Sequence, residues 1–164
     1  MVERVNDIRF GNKIISINKI MKVIRHFGIV VTDMEKSLKF YRDLLGLKIK
    51  VDAQEGGPFI DAISGLKNIK VRTVKMFADE GNTLIELLCY ESHKRERREN
   101  NEIPNIGASH PAFTVNDIDY EYNKLKESGV KFNCPPQVSV DGKAKVTFCE
   151  DPDGVLIELV EQLN

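Results

Sequence analysis

The sequence predicts an α+β fold made of two paired βαβββ modules whose mixed sheets curl around a shared cleft. Three observations carry this reading. The tetrapeptide LIEL occurs twice, at 84–87 and 156–159, each time after an acidic, glycine-containing turn (ADEGNT and DPDG). His26 precedes Asp33 by seven residues, as His110 precedes Asp117, and each Asp stands where a helix should begin. Gly46 and Gly129 follow at matching positions, where a helix should end. A unit of this size rarely buries a sheet alone, so two are expected to pair.

The elements follow in order. Residues 1–21 read as an appended extension, in which IISINKI fits a strand or a short helix. Residues 22–90 form the first module. VIRHFGIVV, 23–31, reads as a strand buried on both faces. Thr32-Asp33-Met34-Glu35 is a capping-box pattern that starts a helix with Met34, Leu38, Tyr41 and Leu45 on its inner face. Strands are expected over 47–51, 71–77 and 84–90. Residues 53–68 between them form a glycine-containing loop with room for one helical turn, long enough to be a lid. Residues 91–108 are charged, end in Pro and Gly, and connect the halves; KRERRE mixes signs as a solvated surface does. The second module, 109–164, repeats the pattern. It has a strand over 109–115, a helix capped by Asn116-Asp117 with Ile118, Tyr122 and Leu125 inward, and a short strand over 130–132. NCPPQ is a turn or edge, and strands follow over 143–149 and 155–160.

Composition bounds the function. With 164 residues and a formal net charge of −1, the chain is one compact domain or two small ones with no electrostatic footprint for nucleic acid or anionic membrane. No apolar run reaches the roughly 18 residues of a membrane span. No secretory signal is evident at the N-terminus, and three Cys without CxxC spacing fit a reducing, cytoplasmic setting.

The chemistry lies in the flaws of the strands. In Val155–Val160, Leu156, Glu158 and Val160 share one face, so Glu158 sits among apolar neighbours with no Lys or Arg beside it in sequence. Burying that carboxylate demands a cation, a metal or protonation. Glu86 repeats the problem in the first module. Each module thus supplies one His from its first strand and one Glu from its last. Paired about a pseudo-twofold axis, His26, Glu86, His110 and Glu158 would converge as two imidazoles and two carboxylates, a set suited to Ni, Co, Mn, Fe or Zn. Gly28 and Ala112, two residues beyond each His, leave room for a substrate. His93 has no counterpart in the other half and is expected at the surface.

The patterns HxxxxVxDxxxxxxFYxxxLG, GASHPAFTVNDID and DPDGVLIEL over about 22–162 resemble the vicinal oxygen chelate superfamily, which includes glyoxalase I, methylmalonyl-CoA epimerase, extradiol dioxygenases and bleomycin-resistance proteins. The resemblance implies paired βαβββ modules around a metal cleft, with His26, Glu86, His110 and Glu158 as ligands of one divalent ion. A His/Glu/His/Glu set is similar to that of glyoxalase I. It implies a cytoplasmic homodimeric lyase or isomerase that moves a proton α to a carbonyl through a metal-bound enediolate, with Glu158 as base and Glu86 next. The substrate would be a small carbonyl compound or thioester. The Asn that contacts glutathione in glyoxalase I has no counterpart in LLCYESHK, which argues against glutathione. An epimerase of the methylmalonyl-CoA type is the alternative within this chemistry. A drug-sequestering resistance protein or an extradiol dioxygenase is the alternative outside it.

Overall fold

The computed structural model describes residues 7–10, 13–16, 22–96 and 103–163. Parts of the expected N-terminal extension and of the connector, including 97–102, lie outside the described residues. Within the extension, β1 (Asp7–Phe10) and β2 (Lys13–Ser16) pair antiparallel as a separate two-stranded sheet, so IISINKI begins as a strand.

The first module is β3 (His26–Val30), α1 (Met34–Leu38), β4 (Lys48–Gly56), α2 (Pro58–Ser64), β5 (Lys70–Phe77) and β6 (Leu84–Tyr90). Helix α1 runs on into a π-type stretch, Lys39–Leu44. The helix starts where the pattern places it, but Asp33 alone is the cap: its Oδ1 accepts the N–H groups of Glu35 and Lys36 at 3.0 and 3.1 Å, while the Thr32 hydroxyl donates to Asp153 and Glu35 accepts from Arg72, so no capping box forms. Gly46 ends it with φ +78, a conformation that favours glycine. The sheet order is β3-β6-β5-β4, with β3 parallel to β6 and the other pairs antiparallel.

The second module is β7 (Ala112–Thr114), α3 (Ile118–Glu127), β8 (Gln137–Val138), β9 (Ala144–Glu150) and β10 (Leu156–Gln162). Its sheet order, β7-β10-β9-β8, repeats the first, with β7 parallel to β10. Asp117 caps α3 by accepting the Tyr120 N–H at 2.9 Å. The duplication read from sequence is therefore present in topology.

Three local expectations differ. The loop at 53–68 is mostly ordered: β4 extends to Gly56, and α2 fills most of the rest. Helix α2 buries no residue, leaving Phe59 and Ile63 exposed, so no apolar face announces it. The strand expected at 130–132 is a single bridge between Phe132 and Cys149. The strand expected over 109–115 shrinks to Ala112–Thr114, which leaves His110 just ahead of it.

Alternation sorts each sheet into two faces. Ile29, Val74, Met76, Ile85 and Leu87 of the first module and Cys149, Ile157 and Leu159 of the second join one buried core with the inner faces of α1 and α3. The modules thus share a core built on one side of both sheets. The turn before β10 fastens them. Asp151, 4% exposed, accepts the Tyr41 hydroxyl at 2.9 Å and the N–H groups of Asp153 and Val155, each at 2.8 Å. The Thr32 N–H donates to Asp153 at 2.8 Å.

Burial pushes the Cys149 thiol up to about 12, so it acts as a packing group. No helix among the described residues is long and apolar enough to cross a membrane. Gly56 is fixed by contact: a Cβ there would stand 2.5 Å from the Ile69 carbonyl oxygen. Gly56→Ala is expected to destabilise the fold by about 1–3 kcal/mol. Chemical denaturation checks this, and an unchanged midpoint would mean that the strand end shifts at no cost.

Candidate metal centre

Each LIEL glutamate is placed by its strand on the face opposite the shared core. In β6, Ile85 and Leu87 point inward, so Glu86 points to the other side. In β10, Ile157 and Leu159 do the same for Glu158. Parallel pairing of the first and last strands then brings each His to its Glu. Register sets Gly28 opposite Glu86 and Ala112 opposite Glu158, with each His two residues earlier on that face. His26 Nε2 lies 3.1 Å from Glu86 Oε2, and His110 Nε2 lies 3.2 Å from Glu158 Oε2.

The two pairs match, but they do not meet within the chain. Among the described residues, no group of three or more His, Cys, Asp or Glu side chains could hold one ion. The sequence leaves open whether the four meet within one chain or across two, and within this chain they stand as two separate pairs. The reason is the side on which the modules join: the shared core and the Tyr41–Asp151 contact lie behind the sheets, so both ligand faces are turned outward. Val30, on the face of His26 and Gly28, is 52% exposed. A cavity of about 1200 Å³ lies between the modules, lined by Phe27, Met76, Ile85, Phe113 and Leu159 among others, and none of the four ligand candidates lines it.

The environments of the two carboxylates differ. The Glu86 side chain is 12% exposed and has both oxygens engaged, Oε2 by His26 and Oε1 by Lys75 Nζ at 3.1 Å. The Glu158 side chain is 22% exposed; its Oε2 faces His110, and Oε1 has no partner among the described residues. Lys75 is the residue that sequence reading missed. Its signal was available in VRTVKMF, a lysine flanked by apolar residues in a strand, but only the register Lys75↔Glu86 shows which face it takes. In the second module the equivalent partner of Glu158 is Phe148, whose ring meets the His110 ring edge-on at 5.0 Å. His93, expected at the surface, is half-buried with Nδ1 2.8 Å from Ser92 Oγ.

The spacing fits an ion. Two donors about 2.1 Å from one octahedral metal and at right angles to each other sit about 3.0 Å apart. Both observed N···O distances are close to that value, so each pair could bind two adjacent positions with small side-chain adjustments.

Known proteins carry the same architecture. A Bacillus subtilis relative, the uncharacterized protein YraH, is 32% identical over 146 residues, covering 87% of this chain and all of that one. A probable lactoylglutathione lyase of Synechocystis is 31% identical over 137 residues, 83% of this chain and 92% of that one. The crystal structure of a glyoxalase family protein from Bacillus cereus superposes with a TM-score of 0.81 at 22% identity, covering 92% of this chain and 99% of that one. Duplicated modules, parallel closure of each sheet and a family match over residues 23–159 agree: the chain belongs to the Glyoxalase/Bleomycin resistance protein/Dioxygenase superfamily.

Proposed function

We propose that the protein is a divalent-metal-dependent enzyme that moves a proton on the carbon next to a carbonyl, and that its complete site forms between two copies of the chain. The observation that carries this reading is the pair of matched half-sites, each a His nitrogen and a Glu oxygen about one coordination edge apart on an outward-facing sheet surface. His26 and Glu86 of one copy would hold the ion together with His110 and Glu158 of the other. Such a homodimer has two equivalent sites. The bound ion would act as a Lewis acid on the carbonyl oxygen.

The chain's own groups then divide the work. Glu158 takes the proton through Oε1, which has no partner among the described residues, and returns it to the neighbouring carbon or to the opposite face of the same one. Oε2, 3.2 Å from His110 Nε2, would be the oxygen left to the ion beside that imidazole. Glu86, held at Oε1 by Lys75, would stay in place as a ligand through Oε2. Gly28 and Ala112 keep side-chain bulk out of the space beside each pair. Isomerase and epimerase chemistry share this proton transfer and differ only in where the proton returns. Relatives named as lactoylglutathione lyases are consistent with the reading.

The test is a mixing experiment. His26→Ala and His110→Ala chains are each expected to lose tight metal binding. Refolded together in equal amounts, they should regain about a quarter of the wild-type sites, because half the dimers are mixed and each of those has one intact site. Elemental analysis after gel filtration reads the result. If mixing restores nothing while wild-type protein binds metal, the site belongs to a single chain.

A further inference from the structure

The pseudo-twofold symmetry of the two half-sites is broken in charge across the antiparallel ladder. Across the ladder from Glu86 stands Lys75; across from Glu158 stands Phe148. Lys75 is 28% exposed along its side chain and holds Glu86 Oε1 at 3.1 Å, on the face that carries His26. Two other strand cations are engaged elsewhere. Arg72 lies one residue out of phase, on the opposite face, bound to Asp52 and Glu35, and Lys145 is bound to Asp119. Glu55 shares the face of Lys75, but it is held by the Thr73 hydroxyl at 3.0 Å and sits opposite Val71, four residues along the strand.

Charge counting gives this asymmetry a meaning. A divalent ion and two glutamates sum to zero. Lys75 adds one positive charge beside a carboxylate that the ion would already neutralise. A fixed cation in a partly desolvated site is favourable only when an anion compensates it. Resting on the proposed metal reading, we propose that Lys75 is a specificity-determining residue that selects carbonyl substrates carrying a carboxylate near the reacting carbon. One lysine suits a single charge. A phosphate monoester carries nearly two charges and three strong acceptor oxygens, and would need more donors than this face offers. The aromatic wall at Phe148 suits the apolar remainder of such a molecule.

The probes are malonic acid monohydroxamate and its methyl ester, which share a chelating group and differ by one carboxylate. Titrated calorimetrically into nickel-loaded dimer, the acid is expected to bind at least roughly tenfold more tightly than the ester, a difference typical of one charge-assisted hydrogen bond. Lys75→Met, compared at saturating nickel so that any weaker hold of Glu86 on the ion is read separately, should bring the ratio close to one. Lys75→Arg should keep the preference. Equal affinities in the wild type, or a preference that survives in Lys75→Met, would overturn the assignment while leaving the metal reading intact. A dimer that takes up no nickel would overturn the metal reading and this inference with it.

Discussion

Glu158→Gln is expected to abolish turnover while leaving the fold in place. Gln keeps the shape and the contact with His110 but cannot accept a proton from carbon at neutral pH. Loss of a positioned general base lowers the rate by roughly 10²–10⁴-fold. The measurement is deuterium incorporation next to the carbonyl, followed by NMR in D₂O, over a panel of α-hydroxycarbonyl compounds and thioesters. Glu86→Gln should behave differently, because Glu86 is held on both oxygens and is assigned to the ion alone. It should lose metal affinity first, and added metal should recover part of its activity. Should Glu158→Gln exchange deuterium at the wild-type rate, Glu158 is not the base, whatever its part in binding metal.

The second large effect concerns stability. Asp151→Ala is expected to cost about 2–4 kcal/mol, since it strips partners from the buried Tyr41 hydroxyl and from two N–H groups at once. Urea denaturation reads this. Tyr41→Phe, which removes only the hydroxyl, should cost about 1–2 kcal/mol. The same carboxyl sets a pH dependence. Burial raises its pKa above the ordinary 3.8, against opposing hydrogen bonds from the Val155 N–H, Tyr41 and the Asp153 N–H. The folded chain therefore holds that proton more tightly than the unfolded chain does. This contribution to stability is fully present below pH 3.8 and is lost as the pH rises through the folded value. Asp151→Asn should flatten that part of the stability profile. A profile identical to wild type would mean that the carboxyl is better hydrated than its burial implies.

Much of this was legible in the sequence, for physical reasons that vary by element. Asp33, Asp117, Gly46 and Gly129 act through local backbone geometry, which a short window of sequence encodes, and all four sit where they were read. The alternation of β6 and β10 placed each LIEL glutamate on the face away from the core. Helix α2 was not legible as an ordered element because it buries nothing, so no periodic pattern marks it. Lys75 was not singled out because its role depends on cross-strand register. The arrangement of the modules was beyond reach: the same alternation serves whether two ligand faces close on each other or turn apart, and long-range contacts such as Tyr41 with Asp151 decide between these arrangements.

Parallel pairing of β3 with β6 and of β7 with β10 also governs the order of events during synthesis. The opening strand of each half leaves the ribosome long before its neighbour in the sheet exists, and must wait across most of a module to be zipped in. Such distant closures slow folding. They also mean that neither imidazole meets its carboxylate in a nascent or unravelled polypeptide. An ion that prefers the finished pairs would act as a ligand of the native state alone, raising the melting temperature with the logarithm of its concentration.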